Sequence, residues 1–179
     1  MSIIATDLDG TIFKGQTLID GVKEGLLKII NEGIEIYYTT NNSSQTPSEI
    51  KDKLEYLLQL NIDMSKIITP LVIFQNLYSN TKSNIFIYGS DNLKNYIKTL
   101  NINVTSLENA ELVLIGRKEE NNFLEINEII NNVSLGKNIL SLNKDLTFPT
   151  EFGEKAGNGA VVKIIEDELS ISIPTLGKS

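Results

Sequence analysis

An α/β fold, a parallel sheet covered by helices, is what this sequence predicts, and three observations predict it. Short β-branched runs alternate with longer stretches of helical period, the pattern of repeated strand, helix, strand units. The 179 residues, 41% hydrophobic and 22% charged, have the composition of an ordinary globular chain with enough Ile and Leu for a sizeable core. The first apolar run ends in two aspartates, Asp7 and Asp9, followed at once by Gly10 and Thr11. Two charges at the end of a buried strand need a reason.

In chain order, a strand is predicted over 2–6, where Ile3, Ile4 and Ala5 are apolar without alternation and suit a central strand covered on both faces. A helix over 21–31 carries Val22, Leu26, Leu27, Ile29 and Ile30, and Gly33 supplies its stop. The β-branched and aromatic run 34–39 is the next strand. The helix over 47–60 places Ile50, Leu54, Leu57 and Leu58 on one face, with Ser44 or Thr46 as N-cap. Strands over 67–69, 85–88, 112–115 and 139–142 then alternate with helices over 71–78, 93–100, 123–131 and 160–169. No internal repeat or low-complexity linker divides the chain.

Charge and missing residue types narrow the chemistry. A net charge of -7 argues against a nucleic-acid groove or an anionic membrane surface as partner, since both call for clustered Lys and Arg. With no cysteine and no histidine, catalysis has to use carboxylates, hydroxyls or lysines. No signal core or membrane-length apolar run is present in the sequence, so the expected location is the cytoplasm. In open α/β sheets ligands bind at the carboxyl ends of the strands, so Asp7 and Asp9 would face a site while Leu8 turns into the core. Two neighbouring carboxylates repel and call for a cation, and magnesium, a hard ion that accepts one or two carboxylates plus phosphate and water, suits them. The alternative is a solvated turn, since Asp-Gly is a common turn pair.

These residues resemble a known family. "DLDGT" is similar to the nucleophile motif of the haloacid dehalogenase (HAD) superfamily. "YYTTNNSSQT", residues 37–46, resembles the second motif in the NagD-like, 4-nitrophenylphosphatase-like branch, "LNKDLTFPTEFGEKAGNGAVV" resembles that branch's cap loop and following helix entry, and "IPTLGKS" resembles the third motif. The resemblance implies a Rossmann-like core over 1–81, an inserted α/β cap over 82–172 and a return to the core over 173–179. It implies hydrolysis of a small phosphate monoester, with Asp7 as nucleophile, Asp9 as acid and base, and both as magnesium ligands. Gly10, Thr40, Asn41, Asn42 and Lys178 would bind the phosphate, and Asn143 and Asp145, in a cap loop running to Glu151, would meet the substrate. That loop's Phe148 and Glu151 point to a small or partly apolar leaving group.

Each segment also has a purely structural reading. "TTNNSS" suits a polar loop before a helix N-cap, Gly177 and Lys178 suit an ordinary chain end, Asn143 and Asp145 suit an Asx-turn, and Gly157 and Gly159 suit a flexible helix entry. Order and spacing together favour the phosphatase reading. The resemblance also implies a fourth, acidic motif beyond the third, whereas this sequence ends at Ser179 with serine in place of the proline expected after Lys178. A truncated form is therefore expected, with the Asp7 strand an uncovered sheet edge open to homo-oligomers. Rival readings are an inactive remnant that binds phosphate or a protein partner, and a phosphotransferase that passes the phosphoryl group to a sugar. A response-regulator receiver fits less well, because its acidic pair is separate from its phospho-acceptor.

Overall fold

The computed structural model describes residues 2–150 and 153–178, with the side chains of residues 149 and 150 left aside. Chain order is β1 (Ile3–Asp7), β2 (Phe13–Lys14), β3 (Thr17–Leu18), α1 (Val22–Asn31), β4 (Glu35–Thr39), α2 (Pro47–Leu58), β5 (Ile67–Ile68), α3 (Pro70–Tyr78) and β6 (Asn84–Tyr88). It continues with α4 (Asp91–Thr99), β7 (Asn103–Val104), β8 (Leu112–Ile115), α5 (Phe123–Ser134), β9 (Asn138–Ser141), β10 (Thr147–Thr150), β11 (Gly153–Ala156) and α6 (Asn158–Leu169). The mixed α/β architecture is the predicted one. Among the described residues no helix is long and apolar enough to cross a membrane.

Two parallel sheets carry the fold. The first has the order β1-β4-β5, with Asp7 beside Thr39 in register, so that the ends of β1 and β4 open onto the same place. The second has the order β7-β6-β8-β9. Its pleat sorts side chains by face: Leu112 and Leu114 of β8 join Leu71 and Phe74 of α3 and Leu93 and Ile97 of α4, while Val113 and Ile115 join Ile126 and Ile129 of α5 and Val161 and Ile165 of α6. Helix α3 thus packs on the second sheet. After α6 the chain lays Thr175 beside Ser141 at the β9 edge and returns Lys178 to Asp7.

Local chemistry places the ends of the helices. Helix α2 starts at a capping box in which Thr46 accepts from Glu49 N–H and the Glu49 carboxylate accepts from Thr46 N–H, so Thr46 and not Ser44 is the cap. Gly33, with φ of 73°, supplies the left-handed turn after α1.

The first strand departs from expectation. Ile3 is 61% and Ile4 37% exposed, and successive strand residues point to opposite faces, so neither face is covered. The reason is position: β1 ends the sheet order and has a neighbour on one side only. Sequence reading also passed over the two short antiparallel hairpins, β2-β3 and β10-β11, and strand β7, all too short to show a period.

Candidate active site

Leu8 orders the start of the site. It is 1% exposed, and burying a leucine is worth about 1.5–3 kcal/mol, so the chain turns Leu8 inward as β1 ends and leaves Asp7 and Asp9 exposed on either side of it. Both aspartates line a cavity of about 330 Å³. Its walls come from the loop after β4, from Arg117 after β8, from the segment running into β10, from the start of α6 and from Lys178.

Two contacts join distant parts of the chain there. Lys178 Nζ lies 2.5 Å from Asp7 Oδ1, pairing residues 171 positions apart, and the cation offsets the carboxylate charge. Thr40 Oγ1 donates to Asp9 Oδ2 at 3.3 Å and accepts from Asn42 N–H at 3.0 Å, which fixes the hydroxyl of a residue that is 4% exposed. Lys53 of α2 contributes a second cation on the Asp9 side. Burial pushes its pKa down while the Asp9 charge pulls it up, and its Nζ rests 3.6 Å from the centre of the Phe13 ring.

Asn41, Asn42 and Asn143 are engaged mainly in building the walls. Asn41 clamps the Lys178 backbone, with Oδ1 accepting from Lys178 N–H at 2.6 Å and Nδ2 donating to Lys178 O at 3.1 Å, and the same amide reaches Asp145 Oδ1 at 3.0 Å. Asn42 Oδ1 gathers the Ser44 N–H, the Ser44 hydroxyl and the Gln45 N–H, closing the loop into the α2 cap. Asn143 Nδ2 donates to Asn41 O and Ser43 Oγ while its Oδ1 accepts from Asp145 N–H, an Asx-type turn that ties the second sheet to the loop after β4. All three line the cavity, as does Asp145.

Gly10 is the exception. It lies outside the cavity wall and its N–H donates to Phe13 O at 2.8 Å, because its left-handed φ of 79° turns the chain into the β2-β3 hairpin. Glu151, expected at the end of the cap loop, lies outside the described residues.

Ser43, Ser44, Arg117 and Asn158, to which the sequence reading gave no site role, also reach the cavity. Arg117 is the only arginine in the sequence, a signal that was there to be read. Ser44 is the hydroxyl that Arg117 meets. Asn158 is 5% exposed, and its Nδ2 donates to Ser141 Oγ, Asn143 O and Ile115 O. It anchors the loop from below, and nothing in the sequence marks it.

The donor set suits a hard cation. Asp7 Oδ2 and Asp9 Oδ1 have no hydrogen-bond partner among the described residues, so two carboxylate oxygens are available at the cavity, and magnesium is often held by one or two carboxylates with water and phosphate. Among the described residues no third acidic, histidine or cysteine side chain joins them.

Comparison with known proteins bears on this geometry. A model of the haloacid dehalogenase-like hydrolase family matches residues 4–103. The acid sugar phosphatase of Staphylococcus haemolyticus is 30% identical over 176 residues, covering 96% of this chain and 66% of that protein. The chain therefore spans about two thirds of the length of the curated relatives it matches. Among solved structures, the p-nitrophenyl phosphatase from Archaeoglobus fulgidus superposes with a TM-score of 0.86 at 20% identity, covering 97% of this chain and 67% of that one. A glycerol phosphate phosphatase from Mycobacterium tuberculosis in complex with magnesium superposes with a TM-score of 0.81 at 22% identity, covering 99% and 54%. At these identities the two structures speak for the fold.

Proposed function

The chain belongs to the haloacid dehalogenase-like hydrolase family, and from that premise we propose that it is a magnesium-dependent phosphatase acting on a small phosphate monoester through an aspartyl-phosphate. The observation that carries the reading is the 2.5 Å pair between Asp7 and Lys178 beside the Thr40–Asp9 contact. Two carboxylates, a hydroxyl and a cation meet there within one small cavity. The acid sugar, p-nitrophenyl and glycerol phosphate phosphatases named above all act on small phosphorylated molecules by their names, in keeping with this reading.

Each residue then has a chemical task. A carboxylate oxygen of Asp7 attacks phosphorus in line, the ester P–O bond breaks, and the phosphoryl group is held on Asp7. Asp9 gives its proton to the departing oxygen and later takes one from the water that cleaves the aspartyl-phosphate. The Thr40 hydroxyl and the Lys178 ammonium stabilise the charge spread over the phosphoryl oxygens. The Asp7 carboxylate and the Asp9 backbone carbonyl would hold the magnesium, leaving the Asp9 carboxyl free for proton transfer; when bound, the ion supplies further positive charge to those oxygens. Asn143 and Asp145 shape the wall that the leaving group meets, and residues of the second sheet act as the cap that excludes water.

The test is phosphate release from p-nitrophenyl phosphate and glycerol 3-phosphate across a magnesium titration. Asp7→Asn, nearly isosteric but no nucleophile, is expected to abolish release with the unfolding midpoint preserved, and Asp9→Asn to cost about a hundredfold or more. Turnover of Asp7→Asn equal to wild type would remove the mechanism. With the Asp7 carboxylate as the protein's one charged ligand, magnesium dependence is expected to be weak-binding in form.

A further inference from the structure

Arg117 stands out from a basic complement of 16 as the only arginine. It directly follows Gly116 at the carboxyl end of β8, and its side chain is half-buried. The guanidinium carbon lies 3.5 Å from the centre of the Phe148 ring, the geometry of a plane resting on an aromatic face. Its hydrogen bonding is thin. Nη1 donates one long bond, 3.4 Å, to Ser44 Oγ. Among the described residues no carboxylate lies within ion-pair distance of it. Burial lowers its pKa and the Glu119 charge opposes the shift; a guanidinium stays charged in proteins.

A half-buried cation without a carboxylate is costly unless something anionic arrives. Here the cation borders the same cavity as Asp7, Thr40 and Lys178, and together with Ser44 it also borders a neighbouring cavity of about 650 Å³. A leaving group extending from the phosphoryl centre along this wall meets Arg117. Phe148, which in the sequence pointed to a small or partly apolar leaving group, serves here as the support under the guanidinium. Arginine suits such a position because its planar fork donates two parallel hydrogen bonds to a carboxylate or phosphate, which a lysine cannot do.

We propose that Arg117, seated on Phe148, binds a second anionic group on the leaving group, so that the preferred substrates are phosphate monoesters carrying a further carboxylate or phosphate. This rests on the phosphatase reading of the same cavity, because it takes Asp7 and Lys178 as the place of the first phosphate. Two matched pairs of probes separate the two sources of charge. Glycerol 3-phosphate and 3-phosphoglycerate differ by a carboxylate, and fructose 6-phosphate and fructose 1,6-bisphosphate differ by a phosphate.

The experiment is calorimetric titration of the chain with all four, in EDTA to prevent turnover, for wild type, Arg117→Met, Arg117→Lys and Phe148→Leu. In at least one pair the doubly acidic probe is expected to bind wild type about tenfold more tightly or better. Arg117→Met brings that ratio close to one, and the two other variants fall between. Unfolding midpoints measured on the same samples separate lost preference from lost fold, and Arg117→Lys and Phe148→Leu carry the test if Arg117→Met does not fold. A wild-type ratio near one in both pairs, a preference that survives all three substitutions, or no binding of any probe overturns the proposal. Phosphate release is followed in parallel with magnesium. A binding preference without release from any probe sinks the hydrolase reading and leaves the anion site standing, whereas release without preference does the reverse.

Discussion

Lys178 reaches Asp7 because Asn41 holds its backbone at both the N–H and the carbonyl, so the placement of the cation depends on a neighbouring amide. Removing that amide leaves a lysine with the same charge and no fixed position. Asn41→Ala is expected to weaken inorganic phosphate about tenfold, the worth of a well-placed hydrogen bond to a charged group, while leaving the unfolding midpoint near wild type because the site is exposed. Phosphate titration by calorimetry reads the effect. Affinity unchanged in Asn41→Ala would mean that Lys178 is positioned by something other than the clamp.

Between elements, a carboxylate of α6 adds to the tie that Asn158 makes to the site. Glu166 pairs with Lys144, next to Asn143, at 2.6 Å and accepts from Ile173 N–H at 2.7 Å, so it joins the cavity loop to the segment that returns Lys178. The Lys144 hydrogen bond, with the Ile173 N–H, holds its pKa below the ordinary 4.5 against the opposing effect of burial. A depressed carboxylate pKa adds stability that is fully present above the unfolded value and is lost as the pH falls through the folded one. Glu166→Gln is therefore expected to lower the thermal midpoint at neutral pH, with the gap from wild type closing in acid. Circular dichroism melts over a pH series check this, and a gap that persists in strong acid would show that packing and not charge is responsible.

Across the whole molecule, the uncovered flank of β1 is the feature with the largest consequence. Among the described residues no strand lies beside its outer backbone edge, and Ile3 and Ile4 are exposed on its two faces, a combination that invites pairing with another copy. The 179-residue chain is expected to self-associate in sedimentation experiments, and Ile3→Lys with Ile4→Lys to shift it toward monomer by placing charge along the edge. A monodisperse wild-type monomer at high concentration would show that this edge is protected in solution.

Periodicity alone determined the elements of this protein, because burying one face of a helix or strand is a local repeat written in the order of residues. The six α-helices of the described residues and the longer strands were legible that way, as was the outward, inward, outward order of Asp7, Leu8 and Asp9. Caps were readable within two residues, since Thr46 and Glu49 lie one turn apart. The rest depended on contacts between positions far apart in the chain. The glycines at 157 and 159 read as a flexible helix entry, yet a Cβ at either would fall within 2.2 Å of the Asp145 or Lys144 carbonyl, so it is close backbone approach that requires them. Gly10 read as an anion contact, but its amide was already taken by Phe13 in a hairpin too short to announce itself. The exposure of β1, the clamp of Asn41 on Lys178 and the seat of Arg117 on Phe148 were decided only by tertiary structure, because which side chains share a cavity is set by how two sheets come together and not by any local repeat.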